Sequence, residues 1–145
     1  MERDSVRVLL VEDNLADVFL IEAALETSTV PIELSVARDG VEALEQVHAA
    51  AAAASLPNMI LLDLNMPRMN GFEVLTALRA QPALAHLVVV VFTTSNAPED
   101  VKQAYALQAN AYVSKPATFA EFVRLVQLLE AFWFGAAELP STYAR

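Results

Sequence analysis

The chain has 145 residues, enough for one domain with a continuous core and too few for a second domain of any size. Nine Lys and Arg against eighteen Asp and Glu give a net charge of −9, which opposes contact with phosphate backbones and anionic lipid and excludes nucleic acid and membrane as direct partners. There is no Cys, hence no disulfide, thiolate metal site or thiol nucleophile, and no apolar run approaches the roughly 18 residues of a membrane span.

In chain order, "MERDSVRVLLVEDN" is too short and too charged for a secretory signal, which predicts a cytoplasmic protein. Short runs rich in Val, Ile and Leu predict strands at 6–11, 32–37, 59–62, 87–92 and 111–113. The run "LVVVVF" does not alternate with polar residues, as expected of a strand covered on both faces. Helical patterns fill the intervals at 16–27, 41–54, 72–80, 99–107 and 119–134, completing five β/α repeats and predicting a doubly wound α/β domain. Punctuation agrees: Asp39-Gly40 and Asn70-Gly71 precede helices, Pro98 suits a first helical turn, and Thr118 suits a cap. The six alanines from Ala49 to Ala54 lengthen the second helix. After Phe134 the periodicity stops, so the domain is expected over 1–134 and a flexible tail over 135–145.

In open α/β sheets, ligands bind beyond the carboxyl ends of the strands. Here those ends carry Glu12-Asp13 on the first strand, Asp63 on the third, Thr93 on the fourth and Ser114-Lys115-Pro116 on the fifth. Singly, each has an ordinary explanation as a helix cap, a turn initiator, a loop acceptor or a solvated charge. Together, three carboxylates repel and raise one another's pKa values unless a divalent cation compensates them, and Mg²⁺ or Mn²⁺ suits oxygen ligands of this kind. A carboxylate beside such an ion can attack a phosphoryl group. Asp63 would be the nucleophile, Lys115 a point charge for the phosphoryl oxygens, and Thr93 a hydroxyl donor to one of them.

At these residues the sequence resembles the receiver domain of two-component response regulators. The resemblance rests on Glu12-Asp13, Asp63 in "LLDLNMP", Thr93, and Lys115 in "YVSKP", and it covers nearly the whole chain. It implies a flavodoxin-like (βα)5 fold with a parallel five-stranded sheet in the order 2-1-3-4-5. It further implies metal ligation by Asp13, Asp63 and the main-chain carbonyl of Asn65, with Glu12 acting through a water. Tyr112 would be the aromatic that changes orientation as Thr93 moves toward the phosphoryl group, and Lys115-Pro116 would be joined by a cis peptide. On this resemblance the chain is a phosphoacceptor signalling protein rather than an enzyme, with slow self-catalysed phosphotransfer and dephosphorylation. Its phosphodonor would be a sensor histidine kinase.

Within the family, "EDNLADVFLIEAAL", "FTTSNAPEDV", "YALQANAYVSKP" and "LLEAFWF" resemble the phytochrome-associated single-domain response regulators, which implies a phytochrome as the kinase. Two departures from common receiver patterns are Thr94, in place of Ala, and Gln108, in place of Gly. The chief rival is a receiver fold serving as an unphosphorylated interaction module, against which the complete site argues. A flavodoxin-like electron carrier would need a phosphate-cradling loop where Glu12-Asp13 stand, and a haloacid-dehalogenase-type phosphatase would need an acid at Asn65.

The last helix adds an expectation about assembly. Phe119, Phe122, Val123, Val126, Leu129 and Trp133 share one face and are expected in the core, with Glu130 intruding near the end. Leu125, Leu128 and Phe132 form a second stripe, expected to make a homodimer through this helix.

Overall fold

The computed structural model describes residues 5–140. Five strands, β1 (Val6–Val11), β2 (Ile32–Ala37), β3 (Met59–Leu62), β4 (Val88–Thr93) and β5 (Ala111–Ser114), form one parallel sheet in the order β2-β1-β3-β4-β5. The five β/α repeats predict such a doubly wound domain, and the strand order is the one the resemblance implies. Five helices connect and follow the strands: α1 (Leu15–Leu25), α2 (Gly40–Ala52), α3 (Gly71–Ala80), α4 (Pro98–Ala106) and α5 (Phe119–Ala131).

The all-apolar central strands are explained by two cores, one on each face of the sheet. Successive side chains of a strand point to opposite faces. Accordingly Leu9, Val11, Ile60, Leu62, Val89 and Val91 pack with Val47, Leu75 and Leu78 on one side. Val8, Leu10, Met59, Leu61, Val90 and Phe92 pack with Ile21, Phe122 and Val126 on the other. A polar residue anywhere within β3 or β4 would fall into one core or the other, and both strands are buried throughout. At the edge, β2 places Glu33 and Ser35 in solvent between half-buried neighbours.

Caps set the helix starts. Asn14, Asp39, Asn70 and Thr118 accept hydrogen bonds from the backbone N–H groups of Asp17, Glu42, Glu73 and Glu121, and Asn70 and Glu73 complete a reciprocal capping box. Helix α4 has no side-chain cap and starts instead on Pro98. Gly71 serves close approach: a Cβ there would overlap the carbonyl oxygen of Asp63 and lie 2.9 Å from Leu64 Cα. Helix α3 can therefore begin directly against the backbone that carries Asp63. Gln108 follows α4 in a left-handed conformation, φ 70°, which explains why glycine suits this position. Its carbonyl accepts from Arg79 Nε at 3.1 Å and Nη2 at 2.8 Å, contacts that compensate for the strained backbone.

The end of the chain departs from the helical expectation. Helix α5 gives way to a π-turn, Phe132–Ala136. A π-turn closes its hydrogen bonds one residue later than an α-helix, so the core phase slips by one residue. The stripe Phe122, Val126, Leu129 therefore continues at Phe134, which is 3% exposed, while Trp133 is half-buried beside it. Phe119, expected in the core, is 45% exposed at the overhanging first turn of α5. Leu125, expected on a second surface stripe, packs against the core, and this leaves Leu128 and Phe132 exposed. Leu139 also packs on the core; the last five positions of the expected tail, 141–145, lie outside the described residues.

Glu130 does not point idly into solvent. Its Oε1 accepts from Ser28 Oγ at 2.7 Å, Thr29 N at 2.6 Å, Thr29 Oγ1 at 2.8 Å and Val30 N at 3.1 Å, tying α5 to the turn before β2. The Ser28 and Thr29 hydroxyl bonds, followed by the backbone bonds, hold its carboxyl down at about 2 against an ordinary 4.5. A pKa lowered by folding contributes stability that is complete above the unfolded value and is lost as pH falls toward the folded one. Glu130→Gln is therefore expected to be less stable than wild type at neutral pH, with the difference shrinking as pH falls from about 4.5 to about 2. Urea unfolding of both proteins across that range checks it; a constant difference would mean that the carboxylate charge contributes nothing.

Candidate functional site

The parallel sheet brings one polar residue from each of four strand ends to a single edge. Backbone hydrogen bonds continue the ladders past the strands proper: Asp63 N donates to Val11 O at 3.1 Å, Glu12 N to Ala37 O at 2.9 Å, and Lys115 N to Thr93 O at 2.8 Å. The acidic and basic residues are thus held by the sheet and not by loop conformation alone.

At the centre lies Lys115, whose side chain is 5% exposed. Its Nζ stands 2.5 Å from Glu12 Oε1, 2.9 Å from Asp17 Oδ2 and 3.2 Å from Asp63 Oδ2. The Phe92 ring lies 5.9 Å away and contributes an apolar wall. Burial alone pushes the ammonium pKa down, but the bonds to Glu12 and Asp17 and the charges of Asp63 and Glu12 outweigh it and the net direction is up. Glu12, completely buried, is pushed up to about 7, first by burial and then by the charge of Asp63, against the opposing contact with Lys115. The site is overcharged with acid and depends on one ammonium.

Glu12, Asp13 and Asp63 each present an oxygen within 4.8 Å of the others. Glu12 Oε1 is an orphan in one respect: it touches Lys115 Nζ, yet no properly directed hydrogen bond reaches it. Glu12 Oε2 accepts from Asn14 N at 3.1 Å, and Asp63 Oδ1 accepts from the amide of Leu64 at 2.8 Å. Asp13 is exposed. A hard-oxygen donor set with excess negative charge, one exposed carboxylate and an under-bonded buried oxygen fits a divalent cation such as Mg²⁺ or Mn²⁺.

The remaining predicted residues surround this cluster. Asn65 is exposed in the loop after Asp63. That loop is pinned from two sides: Gly40 N donates to Met69 O at 3.2 Å, and Arg68, in a left-handed conformation at φ 64°, places Nε 2.8 Å from Asp39 Oδ2. Thr93 ends β4 fully buried, its hydroxyl oxygen accepting from Ser95 N at 3.4 Å. Tyr112, half-buried on the edge strand β5, donates its hydroxyl to Ser95 O at 2.8 Å, so its ring is anchored to the loop two residues beyond Thr93. One implication of the resemblance is corrected: the Lys115–Pro116 bond is trans, with no cis peptide among the described residues. The amide of Lys115 extends the β4–β5 ladder and its four-carbon stem reaches the acids from there.

Two members of the arrangement escape a reading of the sequence. Asp17 stands in the first turn of α1 and passes for an ordinary first-turn acid, although its carboxylate meets Lys115 across 98 residues of chain. Arg68 and Asp39 meet only because two loops converge, and the only signal was the Asp39-Gly40 dipeptide that starts α2.

The fold and this edge define an α/β domain whose acids and one lysine converge at the carboxyl ends of a 2-1-3-4-5 sheet. Residues 8–127 match the response regulator receiver domain, and the chain belongs to that family. It is 40% identical over 136 residues to the response regulator Rcp1 of Synechocystis sp., covering 92% of this chain and 92% of the relative. Its structure is similar to that of the phosphorylated cyanobacterial phytochrome response regulator RcpA, with TM-score 0.88 and 41% identity over 95% of this chain and all of the other. It also resembles the Mn²⁺-bound form of Rcp1, with TM-score 0.84 and 39% identity over 93% of this chain and 99% of the other. The chain is therefore a receiver-domain response regulator homologous to phytochrome response regulators. Among the described residues, no helix is long and apolar enough to cross a membrane.

Proposed function

We propose that this chain accepts a phosphoryl group onto Asp63 from a sensor histidine kinase and passes the signal on by protein contact or onward phosphotransfer. The observation that carries this reading is the placement of the Asp63 carboxylate, 5% exposed, with one oxygen bonded by the Leu64 amide and the other by the Lys115 ammonium. An Asp63 oxygen donates an electron pair to phosphorus while the phosphorus–nitrogen bond of a phosphohistidine breaks, and the released imidazole takes up a proton from solvent. Lys115 places positive charge where the phosphoryl oxygens arrive, and the Thr93 hydroxyl, once it turns from its present partner, donates to one of them. A Mg²⁺ or Mn²⁺ ion, held by Asp13, Asp63, the main-chain carbonyl of Asn65 and Glu12 through a water, supplies neutralisation of the equatorial oxygens when bound. Tyr112 follows Thr93 as the β4–α4 loop rearranges. Slow attack of water on phosphorus breaks the acyl phosphate and restores Asp63. The likeness to RcpA, a phytochrome response regulator, supports a phytochrome as the kinase, and the net charge of −9 supports protein, not nucleic acid or membrane, as the partner. On this reading 1–134 is the receiver and a short tail follows.

Acetyl phosphate with Mg²⁺ is expected to add one phosphoryl mass to wild type and none to Asp63→Asn, read by intact-mass spectrometry. Equal labelling of the two proteins would overturn the assignment of the acceptor.

The same reading includes a homodimer through α5. Leu128 and Phe132, 54% and 55% exposed, lie one helical turn apart, and Phe132 stacks edge-on against Trp133 with ring centroids 5.1 Å apart. A second copy would cover this apolar strip by two-fold symmetry. Sedimentation is expected to show a wild-type dimer that Leu128→Glu with Phe132→Glu converts to monomer; a wild type monomeric at high micromolar concentration, phosphorylated or not, would exclude it.

A further inference from the structure

We propose that Asp17 is a positioning residue for phosphoryl transfer: it holds one N–H of the Lys115 ammonium, beside the charge of Glu12, so that another N–H stays aimed at Asp63 while the acceptor changes its covalent state. The inference rests on Asp63 being the phosphoacceptor.

An ammonium has three donors and no acceptor. Here three carboxylates, from three different elements, surround it: Asp17 in the first turn of α1 and Asp63 beyond β3 accept its hydrogen bonds, and Glu12 at the end of β1 pairs with it by charge. The contact with Asp63, at 3.2 Å, is the longest of the three. Asp63 is also the only one of the three that acquires a phosphoryl group. The two shorter contacts stay with the resting carboxylates, and the third passes from an Asp63 oxygen to a phosphoryl oxygen.

Asp17 is built for anchoring rather than for binding a metal. It stands outside the group of acids whose oxygens converge within 4.8 Å. Its backbone is fixed, because its own N–H donates to the Asn14 cap at 3.1 Å. Lys115 needs such an anchor: a side chain with four rotatable bonds must give up its rotamer freedom to be held at one acceptor. At 5% exposure it also has little water to replace a lost acceptor.

A rival account has Asp17 as one more negative charge that repels an incoming phosphoryl group. The two accounts predict opposite signs. Removing a repelling charge tightens binding of an anionic phosphoryl mimic, whereas removing an anchor weakens it, because the lysine must then be frozen at the moment of binding.

Beryllofluoride, an acyl phosphate mimic, can be titrated with Mg²⁺ into wild type, Asp17→Asn and Asp17→Ala and followed by fluorine NMR. The Lys115 ammonium protons can be followed by proton–nitrogen NMR in the same proteins without metal. The expected result is binding weakened roughly three- to tenfold in Asp17→Ala, the range that freezing one long side chain is worth, and less in Asp17→Asn, which keeps a neutral acceptor. The slowly exchanging Lys115 signal of wild type is expected to vanish in Asp17→Ala. Unchanged or tighter binding would overturn the proposal. So would weakened binding with the Lys115 signal retained, which marks a structural effect that bypasses the lysine, or the absence of that signal from wild type. Failure of wild type itself to bind beryllofluoride would overturn the acceptor role of Asp63, a result distinct from any of these.

Discussion

One buried ammonium meeting three carboxylates is the contact around which the rest of this molecule is arranged. Burying a charge is costly unless it is paired and hydrogen-bonded, and burying several acids together is costlier still. Lys115 lies within 3.2 Å of Glu12, Asp17 and Asp63, so the carboxyl edge of the sheet is held together by a counter-ion belonging to the chain itself. The compensation is incomplete: one positive charge stands against four carboxylates when exposed Asp13 is included, and Glu12 is displaced toward neutrality, first by its burial and then by the charge of Asp63. An edge left short of positive charge is suited to receive a divalent cation.

The sheet makes this concentration of charge possible. In a parallel sheet all strands deliver their carboxyl ends to the same side, and in this strand order β1 and β3 lie adjacent at the centre, with β4 beside β3 and β5 beyond it. Two apolar cores hold the four strands so that Glu12, Asp63, Thr93 and Lys115 emerge in register. Ladder hydrogen bonds to Ala37, Val11 and Thr93 then fix the backbones of the acids and the lysine. Gly71 allows α3 to start against the Asp63 backbone, and the Arg68–Asp39 pair holds the intervening loop. Stability and chemistry therefore draw on the same residues at the strand ends.

Which parts of this were legible in the sequence follows from the range of the interactions. The continuous apolar runs of β3 and β4 are the pattern expected of strands covered on both faces, and the polar residues that end them stand out because the runs stop there. Strand-end position is thus readable from local pattern, and it places Glu12, Asp63, Thr93 and Lys115 on one edge. Asp17 was not readable as a partner of Lys115, because a first-turn acid in a helix has a sufficient local explanation. Glu130 was misleading for the opposite reason: an acid on an apolar face looks like an intrusion until the Ser28-Thr29-Val30 turn, a hundred residues away, supplies its donors. The π-turn at Phe132–Ala136 moved the core residue from Trp133 to Phe134, a one-residue slip invisible to any fixed helical period. The trans bond at Lys115–Pro116 belongs with these, since an isomer is set by tertiary contacts and not by the dipeptide.

Lys115 places at this edge positive charge of the kind a divalent cation supplies when bound. Calorimetric titration of Mg²⁺ into wild type and Lys115→Met tests it directly. If the lysine is the internal counter-ion, the variant binds Mg²⁺ several-fold more tightly than wild type, because the same carboxylates are left without it. Equal or weaker affinity in Lys115→Met would mean that the lysine is not the internal counter-ion of these carboxylates.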